Sequence, residues 1–157
     1  LEDALSGSPD HGGLCHLFVH LMEMSPAPED ALTVCARLRD LSPDNPHLCH
    51  MPSHIDVLVG HYPAAILANT KAIAADRKLV ANKALGAGFF VGYAAHDYHM
   101  LIFAAMYAGQ YQVARDTAVA MVADHVSPEV LSSLPAVVVN GLEAFVPTLL
   151  HVYRAAT

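Results

Sequence analysis

The sequence predicts an all-α fold built from helix–turn–helix repeats. Three observations predict it. Two stretches of the 157-residue chain align with each other at an offset of 34 residues, and a third aligns with them further on. Each copy carries Asn, Pro or Gly where a helix has to start or stop. Apolar and polar residues alternate only weakly, so strands are not expected.

The first copy reads "HGGLCHLFVHLMEMSPAPEDALTVCARLRDLSP" from His11, and the second "PHLCHMPSHIDVLVGHYPAAILANTKAIAAD" from Pro46. Cys15 aligns with Cys49, His16 with His50, His20 with His54 and Ala31 with Ala65. The third copy begins at Ala95, "AHDYHMLIFAAMYAGQYQVARDTAVAMVAD". There His96 aligns with His47, His99 with His50, Gly109 with Gly60, Tyr111 with Tyr62 and Ala114 with Ala65, each at an offset of 49. That offset is one period plus a 15-residue insertion, expected in "KLVANKALGAGFFVGYA". The repeats thus span about 12–45, 46–79 and 95–128, with the insertion at about 80–94 and C-terminal helices over 128–157. One domain over 1–157 is expected at this length. Leu1 is not an initiator, so an excerpt of a longer protein is expected as well.

Taken in order, Pro28 opens the second helix of the first copy and Pro43 follows its end. Asn45 caps the next helix, with Pro46 in its first turn. That helix is expected to end near Gly60, and its partner to run from Tyr62 to about Arg77. Pro52 interrupts the first of the two. Either it kinks the helix and strips the Leu48 carbonyl of its usual partner, or the regular helix begins only there. The start signal at Asn45–Pro46 favours the kink. Gly109 separates the helices of the third copy, and Ser127–Pro128 starts a new segment. The apolar tail "SPEVLSSLPAVVVNGLEAFVPTLLHVYRAAT" reads as helical, a cap on the stack or the start of a fourth repeat.

A helix–turn–helix period of about 34 residues resembles the tetratricopeptide repeat. The resemblance implies a short right-handed α-solenoid. The match to the consensus is partial. Cys15, Cys49 and Tyr98 stand where a tryptophan is usual, and Phe18-Val19, Pro52-Ser53 and Leu101-Ile102 replace Leu-Gly. The small residue of the second helix persists as Ala31, Ala65 and Ala114.

Composition narrows the function. Apolar residues make up 54% and charged residues 15% of the chain, so disorder is not expected. The net charge is −7 and the eight Lys and Arg form no stripe, which sets nucleic acid aside. No unbroken apolar run reaches the ~18 residues of a membrane span. Three cysteines without paired spacing point to reduced thiols, hence to an intracellular, cytoplasmic protein. The outlier is histidine, with 11 residues.

Residues on an α-helix advance by about 100°, so His47, His50 and His54 share an arc of roughly 60°. His16, His20 and Glu23 form a similar arc, and His96 and His99 take the equivalent face of the third copy. Seven polar rings repeating on one face would make a poor hydrophobic core. Imidazole is the commonest metal ligand and suits zinc, copper, iron or nickel. The candidate ligands are therefore His16, His20, Glu23, His47, His50, His54, His96 and His99, with Glu23 completing a mixed shell or acting as a nearby base. The rise from His47 to His54 is about 10.5 Å, too long for one ion to hold every ring. Two ions, or one ion and a polar surround, fit better. Cys15, Cys35, Cys49 and the six methionines read as packing residues, and His11, His61 and His125 as solvated helix-end residues. Tyr98 fills the missing tryptophan's place or turns its hydroxyl to the groove. No zinc-protease motif, phosphate loop, nucleophile elbow or CxxC is present.

The segment "HMPSHI", the preceding His16, His20 and Glu23 helix and the later His96-Asp97-Tyr98-His99 together resemble a group of His-rich tetratricopeptide-repeat proteins of bacteria and fungi. The resemblance covers roughly residues 9–125. It implies that the first helix of each pair lines a concave groove, so that the histidines converge there. It supplies a fold and a site without a reaction. The expected function is transition-metal binding in that groove, extending to a metal-dependent enzyme for a small molecule. The alternative is a scaffold that holds a peptide or protein in the groove.

Overall fold

Three aligned positions are buried in all three copies. Cys15, Cys49 and Tyr98 are buried, as are Ala31, Ala65 and Ala114. Val19, Ser53 and Ile102 follow the same rule. The protein is seen in a computed structural model that describes residues 1–81 and 90–155. Residues 82–89, most of the expected insertion, and the last two residues of the tail lie outside the described residues. Every regular element among the described residues is helical.

The chain divides into two units, Leu1–Ala75 and Asp76–Thr157. The first opens with α1 (Glu2–Gly7) and α2 (Gly12–Glu23). The His11 ring accepts from the Leu14 amide and caps α2. A 3-10 turn at Pro28–Ala31 leads into α3 (Leu32–Leu41). Asn45 caps α4 (Pro46–His50), its side chain accepting from the Leu48 amide at 3.1 Å. α5 (Pro52–Leu58) follows after a single residue, Met51, which keeps helical dihedrals. Proline thus breaks the hydrogen-bond ladder without ending the helical path, which is the kink reading of the sequence. α6 (Tyr62–Ala81) then carries the chain from the first unit into the second.

Gly60 closes α5 with φ +78, and Gly109 closes its counterpart in the second unit with φ +69. At each, two amides turn back: His61 to the Asp56 carbonyl and Gly60 to that of Val57, then Gln110 to Ala105 and Gly109 to Met106. This pairing of bonds at a left-handed residue is the Schellman cap, which any side chain beyond Cα would strain.

The first unit's core joins Leu5 with Cys15, Phe18 and Val19 of α2, Cys35 and Leu38 of α3, and Met51 and Ile55 beside the proline. Arg39 crosses from α3 to α5 and clasps Asp56 with two bonds of 2.6 and 2.7 Å. Burial pushes the Asp56 carboxyl up, and Arg39 opposes it. All three cysteines are buried thiols, as the sequence implies. Met51 and Met121 are fully buried, but Met24 is 83% exposed and is not the packing residue expected. It is the C-cap residue of α2, just past the last helical residue.

The second unit continues with α7 (Phe90–Tyr107) and α8 (Tyr111–Met121), a helical hairpin turning at Gly109. A π-helical turn at Val122–Val126 follows, then α9 (Pro128–Ser132), capped by Ser127, and α10 (Ala136–Leu142). A 3-10 turn at Glu143–Phe145 leads to α11 (Thr148–Ala155). Ala95, Val126 and Leu142 centre its core. The stretch Ala136–Ala155 has a mean hydropathy of 1.4, long and apolar enough by length and composition alone to cross a membrane. Asn140, Glu143 and Arg154 interrupt it, so no unbroken apolar run exists in the sequence. It folds as α10, the 3-10 turn and α11, 17% of it buried.

Candidate metal centre

Two helical segments of the first unit build the site. On α2 the core face carries Cys15, Phe18, Val19 and Met22. His16, His20 and Glu23 sit about 100° from it, because 3.6 residues per turn keep spacings of three and four on one side. α4 and α5 present His47, His50 and His54. Pro52 cannot donate to the ladder, and the His54 amide turns to Met51 at 3.2 Å instead. The segment therefore stays helical through the break, and His50 and His54 remain neighbours.

The rings make one continuous cluster. Nε2 of His16 lies 3.0 Å from Nε2 of His47. The His16 ring stands 4.8 Å from His20 and 4.9 Å from His47, centre to centre. One ligand nitrogen from each of these three residues falls within 4.8 Å of the others. His50 and His54 form a second contact, Nε2 to Nε2 at 2.8 Å. The two groups adjoin, with His20 5.6 Å from His54 and His47 6.1 Å from His50 between ring centres.

The outer nitrogens of His50 and His54 are fixed. The Asn69 amide donates to the Ala65 carbonyl at 2.9 Å, which turns its oxygen to His50 Nδ1 at 2.7 Å. An amide oxygen only accepts, so His50 carries its proton on Nδ1. Glu23 meets His54 Nδ1 at 2.7 Å and His20 Nδ1 at 3.5 Å. A carboxylate accepting from Nδ1–H sets the same tautomer in His54. Nε2 of both rings is then left as a lone pair facing inward. Metal-binding histidines are commonly held in this way, by a carboxylate or carbonyl on the far nitrogen.

Electrostatics favour the neutral form of His16 and His47. Burial pushes His47 down to about 4, and the facing His16, His20 and His54 push the same way. Burial and the neighbours His20 and His54 likewise lower His16. Neutral rings are the form that binds metal. The cluster is closed at His50, which is fully buried, and open at His20, whose side chain is 42% exposed. Solvent and small solutes therefore reach it from the α2 side.

Of the residues singled out in the sequence, His16, His20, Glu23, His47, His50 and His54 come together in the first unit. Glu23 sits at the Nδ1 edges of two rings. His96 and His99 belong to α7 in the second unit. There His99 packs edge-on against Phe145 at 5.3 Å, and burial, then His151, lowers it. His96 lines a cavity of about 380 Å³ with Gly92, Val137, Val138, Gly141 and Phe145. His125 is not a solvated helix-end residue as expected. It is half-buried with its ring 5.1 Å from Tyr98, and burial lowers it. Tyr98 is buried, and its hydroxyl accepts from Arg77 at 2.9 Å and donates to Asp124 at 2.8 Å. Asp97 is buried against Asp76, and burial with that second carboxyl raises it far above the usual carboxylate range.

Sequence reasoning missed Asn69 and the Arg39–Asp56 clasp. Asn69 had a signal: it is the one polar residue on the buried face formed by Ala65, Ala68, Ala72 and Ile73. A buried amide there must meet a polar partner. Comparison with known protein families, with curated proteins and with solved structures finds no match for this chain.

Proposed function

We propose that this protein is a metal-binding helical-repeat protein whose first unit holds a transition-metal ion on His16, His20 and His47. The observation that supports it is the convergence of three imidazoles from α2 and α4, ligand nitrogens within 4.8 Å of one another. All donors are nitrogen, a set suited to zinc, copper or iron rather than magnesium or calcium. Three imidazoles leave a fourth position for water or substrate, as catalytic zinc sites do. The opening at His20 gives a small molecule access to that position. On this reading the chain is a metal-dependent enzyme for a small substrate. The helix pairs are tetratricopeptide-like repeats, and the ligands sit on their first helices. The buried thiols agree with a cytoplasmic protein.

The experiment is a titration of purified, metal-stripped protein with zinc, copper(II) and iron(II), read by calorimetry and native mass spectrometry. Tight uptake of at least one ion is expected, with loss on chelation. The melting temperature should rise on loading, since at 1,000 times Kd a ligand of the folded state adds about 4 kcal/mol. Protein that takes up none of the three metals ends the proposal and leaves the peptide scaffold in its place.

A further inference from the structure

We infer that the cleft between α7 and α10 is a binding site for a small uncharged molecule built around an aromatic ring. All its residues belong to the second unit. Its volume is about 380 Å³, within the roughly 300–1,000 Å³ of small-molecule sites. α7 supplies Gly92, Tyr93 and His96, and α10 supplies Val137, Val138 and Gly141. Phe145 of the following 3-10 turn completes the lining. Among these residues there is no permanent charge. A charged ligand would shed its hydration there and gain no counter-ion.

Two of the lining residues are glycines that the packing of the chain does not require. Both have helical backbone, without the positive φ of Gly60 and Gly109. A Cβ added at either would meet nothing within 4 Å beyond its own turn. Alanine would fit at both and is the better helix former. What glycine adds is a bare backbone wall that a flat ring can approach closely. The other walls are stiff. Val137 and Val138 are β-branched and restricted at χ1. Phe145 is held edge-on against His99, ring centres 5.3 Å apart. Preset walls cost little ordering on binding. Val137 is 79% and Tyr93 39% exposed, so the cleft leaves apolar surface in water. Covering that surface is favourable. Tyr93, His96 and Phe145 bring three aromatic rings to the lining. Ring edges and faces attract one another, which favours an aromatic ligand over an acyl chain.

The probe is phenylnaphthylamine, neutral and fluorescent in apolar surroundings, titrated into the whole chain. The chain has no tryptophan, so the probe signal stands on a low background. One saturable site per chain is expected, with nuclear Overhauser contacts from the probe to the methyl groups of Val137 and Val138. Indole should displace the probe. Decanoate and the sulfonated analogue, anilinonaphthalene sulfonate, should not compete. Gly92→Ala and Gly141→Ala should each weaken the probe by about tenfold or more, the effect of one methylene in an apolar pocket. Their melting temperatures should hold or rise, which separates a filled cleft from a lost fold. Gly7→Ala, equally open but on α1, should bind the probe as the wild type does. No saturable binding, or binding that both cleft variants leave unchanged, overturns the site. If either variant melts lower, the wild-type contacts decide, and contacts away from Val137 and Val138 overturn it. Displacement by decanoate but not by indole overturns the aromatic class. Self-association through the cleft, seen as a sedimentation shift that Gly141→Leu abolishes, overturns the small molecule in favour of a second copy of the chain.

Discussion

The same sequence pattern, two histidines three residues apart, occurs in both units and meets different surroundings. In the first unit His47 and His50 face other imidazoles from α2 and α5, with Asn69 and Glu23 behind them. In the second, the ring of His99 lies edge-on against Phe145. Spacing puts two rings on one face of a helix, but the packed neighbours decide what those rings do. A neighbour that accepts a proton aims a lone pair. An aromatic neighbour makes the ring a packing group.

The widest test of that contrast is the pair His47→Ala and His99→Ala. His47→Ala removes a ligand, so metal affinity should fall by more than the 10–100-fold of an outer-shell change. His99→Ala should leave metal content unchanged and lower the melting temperature, because it strips Phe145 of its ring contact. Elemental analysis after dialysis and thermal melting separate the two outcomes. Equal loss of metal from both variants would erase the distinction between the units.

A second contrast concerns charge. Arg39 grips Asp56, which is 1% exposed, whereas Arg77 and Asp124 are 64% and 45% exposed around the Tyr98 hydroxyl. Removing one partner of a buried pair strands the other charge and costs about 3–5 kcal/mol. An exposed pair is screened by water and contributes about 0–1 kcal/mol. Arg39→Met should therefore destabilise the protein several times more than Arg77→Met, by urea denaturation followed at the helical signal. Arg39 is itself partly exposed, which places the expected loss near the lower end.

How much of this was legible in the sequence depends on the range of the interaction. Caps and stops are local, and Asn45, Pro28, Gly109 and Ser127 announce the helix ends where they occur. The repeat predicted burial as well: Cys15, Cys49 and Tyr98 take one buried position, Ala31, Ala65 and Ala114 another. The first-unit histidine cluster was legible because a helix converts spacings of three and four into one face. The partners of Asn69 and Arg39 were not, since they lie 19 and 17 residues away and no local pattern names them, although the apolar face around Asn69 did signal that its amide needs one. His125 was misplaced for the same reason. Its position at a helix end suggested water, while Tyr98, 27 residues away in sequence, covers it (Tyr98 to His125).

Acidity should erode both units by one mechanism. His16 and His47 in the first unit and His99 and His125 in the second are all held below the ordinary histidine value. For a base with a depressed pKa the unfolded state binds the proton more tightly. The stability it contributes is present above the unfolded value, about 6.5, and is lost as pH falls toward the folded one. For His47 that window runs from about 6.5 down to about 4. Metal-stripped protein should melt progressively lower between pH 7 and pH 4. Loaded protein should hold its melting temperature to a lower pH and then release its ion, because protons and metal compete for the same nitrogens. A flat melting profile over this window would show that the rings are solvated.

The smallest effect expected comes from one position of the repeat, filled by Val19, Ser53 and Ile102. All three are buried, at 0%, 0% and 1% exposure. Valine and isoleucine suit such a site. Serine brings a hydroxyl, and the Ser53 Oγ meets no hydrogen-bond partner among the described residues. A buried hydroxyl left unpaired costs about 1–3 kcal/mol by mutational measures. Replacing it with a methyl group of nearly the same size should remove that cost without opening a cavity. Ser53→Ala is therefore expected to be neutral or to stabilise the protein by up to about 1 kcal/mol, with zinc binding unchanged because the residue faces the core. Val19→Ala, at the aligned position of the first copy, deletes buried methyl groups and should destabilise by roughly 1–3 kcal/mol. If Ser53→Ala instead destabilises as much as Val19→Ala, the hydroxyl has a partner in solution, and the burial that the repeat imposes on this position has been satisfied by a polar contact.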